Sequence, residues 1–249
     1  MRQKTYRTPC HPIPTFRAAQ CDADHTHSYD VDADLCSRSY CRGVSDDPYW
    51  NHNTHYHPWL LAQAPDSART VLDIGCGDGL LARKFGRRGL TVHGVDLDPV
   101  ILDTAAPATN VTVEQADFLD LPGTFDLVTA VASLHHVPLK DGLTALHRLV
   151  APGGTLAVVG LWRFDIRTDF PYLALLPGIW AFDTLHRPKL SGPDAHLRDP
   201  EDTYPEIRAA AAEILPGARL RRRALLRYTL LWHKPATPPA GRGLAEIKS

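Results

Sequence analysis

The sequence predicts an α/β fold, a doubly wound and mainly parallel sheet with helices on both faces. Three observations carry that prediction. Short apolar runs of strand length alternate with stretches of helical periodicity from residue 71 to residue 161. The first apolar run ends in a glycine-rich turn leading into a helical stretch, the arrangement that binds nucleotides in doubly wound sheets. A chain of 249 residues, 44% hydrophobic and 22% charged, also has the material for one such domain with a full core.

Taken in order, residues 46–64 read as one or two short helices broken at Pro58. Residues 71–74 are a buried strand, and 79–88 a helix. A second strand covers 91–96, and Asp98-Pro99 starts a helix to about residue 106. Strands follow at 111–115 and 125–130, then a helix at 140–150. Pro152-Gly153-Gly154 reads as a turn into a fifth strand, 155–161. Beyond Trp162, prolines interrupt an aromatic-rich segment containing Phe170, Tyr172, Trp180 and Phe182. This segment, 163–200, is too apolar for a solvated loop and too broken for one helix, so it is expected to cap the substrate site. A helix over 201–215 and a strand pair within 219–234 complete the domain, 45–234. The tail 235–249 is expected to fray. Residues 1–44 show no apolar period and are expected to be a disordered extension. The native start is expected near Val44, read from a GTG codon; an intact mass from the host tests this.

The net charge of −1 excludes a globally basic nucleic-acid binder. No run approaches 18 apolar residues, so no membrane span is expected, and the first residues lack an apolar signal core. Four of the five cysteines lie in the first 41 residues, which argues against a disulfide framework and for a reducing cytoplasm. The spacings of Cys10, Cys21, His25, His27, Cys36 and Cys41 match no common closed zinc site.

The segment Val71-Leu-Asp-Ile-Gly-Cys-Gly-Asp-Gly79 is the most informative. Glycines let a backbone approach a ligand closely, and the following helix start offers free N–H groups. A dinucleotide fingerprint is G-x-G-x-x-G, with the pyrophosphate on the helix. Here the glycines fall at 75, 77 and 79, with Asp73 before the turn and Asp78 inside it. Two carboxylates repel a pyrophosphate and suit a cationic, phosphate-free ligand such as S-adenosylmethionine. Asp96, about 20 residues on at a strand end, is placed to accept hydrogen bonds from ribose hydroxyls, a feature shared with NAD sites. Asp117 ends the third strand, where an adenine amino group would meet it.

These residues resemble the class I S-adenosylmethionine-dependent methyltransferases, in the small-molecule branch similar to ubiquinone/menaquinone-biosynthesis enzymes. The likeness lies in VLDIGCGDG (71–79), VHGVDLDP (92–99), EQADFLDLP (114–122), FDLVTAVASLHHV (125–137) and LVAPGGTLAVVG (149–160). It covers about 46–162 well and 201–234 more weakly. It implies a Rossmann-like sheet of seven strands in the order 3-2-1-4-5-7-6, with an antiparallel last pair. It also implies S-adenosylmethionine as cofactor. Asp73, Gly75, Cys76 and Gly77 would surround its methionine part, Asp96 its ribose, and Leu97 its adenine face. Asp117 and the Phe118 backbone would meet the adenine amino group, and the end of the fourth strand, Val131 to Leu134, would line the methionyl side. The acceptor would be a small molecule, apolar or aromatic, methylated at O, N or C.

For an accessory base the sequence offers His55 and His57, in a segment expected to fold over the cofactor, and His136 after the fourth strand. A second reading makes the polar groups of 51–57 lid caps and ligands for carboxylate or water. Arg221, Arg222, Arg223 and Arg227 read as the solvent edge of a strand. Two rival functions stay open, an NAD(P)-dependent oxidoreductase and a non-catalytic cofactor-binding protein of the same fold.

Overall fold

A computed structural model describes residues 47–175, 177–179, 181 and 198–236. The expectations for residues 1–44, for the tail beyond 236, and for Trp180 and Phe182 lie outside the described residues. The seven strands are β1 (Thr70–Ile74), β2 (Thr91–Asp96), β3 (Val111–Gln115), β4 (Phe125–Val131), β5 (Val150–Gly160), β6 (Arg219–Arg223) and β7 (Arg227–His233). They form one sheet in the order β3-β2-β1-β4-β5-β7-β6. β7 runs antiparallel to β5 and β6, and the other pairings are parallel.

Strand alternation builds a core on each face. Leu72, Ile74, Val128, Leu156 and Val158 point to one side, against α4 (Leu139–Leu149) and the helix Tyr204–Ile214, here α6. Val71, Leu127, Ala157 and Val159 point to the other, against Leu60 of α1 (His57–Ala62) and Leu81 and Phe85 of α2 (Leu80–Gly86). The chain winds outward from β1 to β3 and then returns to β4 on the other side of β1. That reversal opens a crevice beyond the carboxyl ends of β1 and β4, where such sheets bind ligands.

Several boundaries depart from the sequence reading. Pro58 lies in the first turn of α1 and starts the helix rather than breaking it, since the ring costs no hydrogen bond there. The helix after Asp98, α3 (Pro99–Leu102), ends early: the Thr104 hydroxyl takes the Ile101 carbonyl at 2.6 Å. Residues 152–154 do not precede β5 but bulge within it, where the register jumps between Phe125↔Val150 and Leu127↔Thr155.

The arginine run is not a solvent edge throughout. Arg222 pairs with fully buried Asp169, and its guanidinium lies 4.2 Å from the Tyr204 ring centre and 5.1 Å from that of Tyr172. Trp162 donates to the same carboxylate at 3.0 Å. This cluster fastens α5 (Ile166–Asp169) and the turn after it to β6. Tyr172 is therefore committed to Arg222 and is not among the residues lining the main cavity.

Candidate functional site

The turn after β1 has left-handed backbone at Gly75, Gly77 and Gly79, with φ of +66°, +54° and +71°. Gly75 is demanded twice over, because an added Cβ would lie 2.5 Å from the Ser133 Cβ. The Gly75 and Cys76 N–H groups donate to the Val95 carbonyl at 2.8 and 3.1 Å. The Gly77 N–H donates to Asp96 Oδ2 at 2.9 Å, and the Asp98 N–H to Asp96 Oδ1 at 3.0 Å. The end of β2 thus fixes the turn, and the turn fixes the Asp96 carboxylate. Each oxygen keeps a second lone pair for a ligand. Ser133 donates to the Ile74 carbonyl at 3.0 Å, which closes the ring from β1 to β4.

Asp73 lies beneath this turn, 2% exposed. Thr129 donates to its Oδ1 at 2.8 Å, while Oδ2 has no partner among the described residues. Burial above all, with the charges of Asp96 and Asp78, pushes its pKa up to about 7 against the pull of the Thr129 bond and of the Ala82 backbone N–H. A buried, half-satisfied carboxylate is costly and marks a place where a ligand completes the structure.

The cavity over the turn measures about 580 Å³, within the range of small-molecule sites. Its lining includes Asp73, Asp78, Asp96 and Asp98 and, among the described residues, no Lys or Arg. The segment 49–57 forms the opposite wall. Tyr49 donates to Asp78 at 3.1 Å, Tyr56 to the Ala224 carbonyl at 2.6 Å, and Arg227 to Asn53 at 3.1 and 3.2 Å. The lid is thereby tied both to the glycine turn and to the β6–β7 turn.

Gly75, Cys76 and Gly77 line the cavity as expected, with Leu97, Phe118 and Val131 further round it. Leu97 is 57% exposed at the rim, an apolar surface available to a flat ring. The buried Cys76 thiol is pushed up, mainly by burial, so it stays a thiol. Asp117 does not line the cavity, and its carboxylate accepts the Leu119 N–H at 2.9 Å.

The three histidines separate. His136 lines the cavity. His55 does not; it packs edge-on to Tyr56 with ring centres 5.0 Å apart. His57 lines the cavity, but its Nδ1 lies 3.0 Å from Lys84 Nζ, which Asp47 holds at 2.6 Å. An ammonium only donates, so Nδ1 accepts and the ring proton sits on Nε2. Burial, reinforced by the Lys84 charge, holds the His57 pKa well below its ordinary value. The ring is held neutral, with its Nδ1 occupied by Lys84. The sequence reading missed Thr129, Lys84 and Asp47, and it placed Ser133 in the methionyl wall without its bond to Ile74. Each acts through a partner at least 27 residues away, which no local pattern records.

S-adenosylmethionine fits this lining. It carries an ammonium and a sulfonium, and no phosphate, which suits a cavity lined by Asp73, Asp78, Asp96 and Asp98. Comparison with known proteins agrees. Residues 71–154 match the family described as Methyltransferase domain. An uncharacterized methyltransferase of Mycobacterium tuberculosis is 36% identical over 207 residues, covering 76% of this chain and 99% of that protein. A ubiquinone biosynthesis O-methyltransferase of Pseudomonas paraeruginosa is 32% identical over 127 residues, 43% of this chain and 54% of that enzyme. A crystal structure of a SAM-dependent methyltransferase from Methanosarcina mazei shares the fold, with a TM-score of 0.52 at 15% identity over 72% of this chain and 98% of that one.

Proposed function

We propose, since this chain belongs to the class I S-adenosylmethionine-dependent methyltransferases, that it methylates an O, N or C nucleophile of a small-molecule acceptor. The cofactor is S-adenosylmethionine. The observation that carries the acceptor class is the cavity, walled on one side by the 49–57 lid and without basic lining residues among those described. A nucleic-acid acceptor would call for a basic approach surface. Among the described residues, no helix is long and apolar enough to cross a membrane.

Bound here, the cofactor supplies an activated methyl group on a sulfonium. The chain's own task is positioning. Asp96, held by two backbone donors, accepts from the ribose hydroxyls. Leu97 covers the adenine face, and Asp117 remains the proposed partner of its amino group. Asp73 and the turn at Gly75–Gly77 surround the methionine part. The lid keeps water out and confines the acceptor near the end of β4. Holding reactants in line can contribute about 7–11 kcal/mol of barrier lowering. His136 is the accessory base, taking a proton from the acceptor, with a typical contribution of about 10²–10⁴-fold.

The test is incubation with methyl-labelled cofactor and a fractionated extract of host metabolites. Label is expected in the small-molecule fraction. Label confined to protein or RNA would overturn the acceptor class.

A further inference from the structure

Three side chains of the lid wall have their acceptor atoms already occupied. Asn51 Oδ1 accepts the backbone N–H groups of Asn53 and Thr54 at 3.0 and 2.9 Å. Asn53 Oδ1 accepts two bonds from Arg227, at 3.1 and 3.2 Å. His57 Nδ1 accepts from Lys84 at 3.0 Å. In all three, the partner is a group that can only donate, so the orientation of each side chain is fixed by chemistry. What remains for the cavity is the NH₂ of Asn51, the NH₂ of Asn53 and the Nε2–H of His57, and all three residues line it. The floor beneath is acidic, with Asp73, Asp78 and Asp96.

We propose that Asn51, Asn53 and His57 form an oxyanion subsite that takes a carboxylate or similar negatively charged oxygen group of the ligand. This deepens the methyltransferase reading and rests on it. A cavity with carboxylates on one wall and N–H donors on the other suits a ligand carrying both charges. Neutral donors hold such an anion without cancelling the acidic floor, as an arginine or lysine would. Two sources present that chemistry, the amino-acid end of the cofactor and an acidic group on the acceptor.

Asn53→Asp separates them. The new carboxylate keeps the oxygen that Arg227 binds and replaces the donor by a repelling charge. Wild type and variant are titrated by calorimetry with S-adenosylhomocysteine and with methylthioadenosine, which lacks the amino-acid end. If the subsite takes the cofactor's carboxylate, the variant binds S-adenosylhomocysteine at least tenfold more weakly and methylthioadenosine within twofold of wild type. If it takes an acceptor's, both nucleosides bind unchanged. Salicylate then binds wild type saturated with S-adenosylhomocysteine and fails to bind the variant. The proposal is overturned if the variant matches wild type in every titration. Methylthioadenosine binding reports the fold of the variant, and a wild type that binds neither nucleoside would instead defeat the cofactor assignment.

Discussion

Replacing Asp73 by Asn weakens cofactor binding by roughly tenfold or more and, at pH 8, raises the melting temperature of the ligand-free protein. Both effects come from one buried carboxylate, whose pKa stands at about 7 against an ordinary value of 3.8. Below pH 4 both folded and unfolded states hold the proton, and the group costs nothing. Between about 4 and 7 the unfolded chain releases it while the native state keeps it, so stability falls as pH rises. Above 7 the loss is complete, about 4 kcal/mol for a shift of that size. Asn escapes this penalty and retains an oxygen for Thr129, but buries an amide that costs about 1–3 kcal/mol if unpaired. The net gain is about 1–3 kcal/mol, or roughly 3–10 °C in a protein of this size. Thermal melts at pH 5 and pH 8 check it. The advantage of the variant appears at pH 8 and shrinks at pH 5, and a variant less stable at both would contradict the assignment. In the wild type, cofactor affinity rises with pH between 6 and 8, by about tenfold in all, because binding requires the ionised carboxylate.

The second large effect is expected at Gly75. Gly75→Ala places a Cβ 2.5 Å from that of Ser133, in a backbone conformation that side chains resist. Left-handed strain costs about 1–3 kcal/mol and overpacking a similar amount, so destabilisation of about 2–6 kcal/mol is expected. Removing the Ser133 hydroxyl gives no relief, since the clash is with Cβ. Ser133→Gly, added to Gly75→Ala, restores part of the loss. Urea unfolding of the single and double variants measures it, and a single variant within about 1 kcal/mol of wild type would refute the packing argument.

Much of the sheet was legible because strand alternation and loop glycines are local signals. The order of β1 to β5 came from family likeness, since crossover rules alone permit other doubly wound orders. The placement of β7 between β5 and β6 came from family likeness, since a hairpin's docking edge leaves no mark within the hairpin. Asp98 was readable as a cap, and its side chain does accept the Val100 N–H at 2.9 Å. The role of His57 was not readable. Its partner, Lys84, lies on another helix 27 residues away. The environment of Asp73 likewise emerges only when β4 brings Thr129 to one of its oxygens, at 2.8 Å.

The acidic glycine turn is the centre of the account. Calorimetric titration of the full chain with S-adenosylmethionine and, separately, with NADPH tests it most directly. One saturable site for S-adenosylmethionine and no detectable heat from NADPH at the same concentrations is the expected result. Binding of the phosphate-bearing dinucleotide, with none of S-adenosylmethionine, would contradict it.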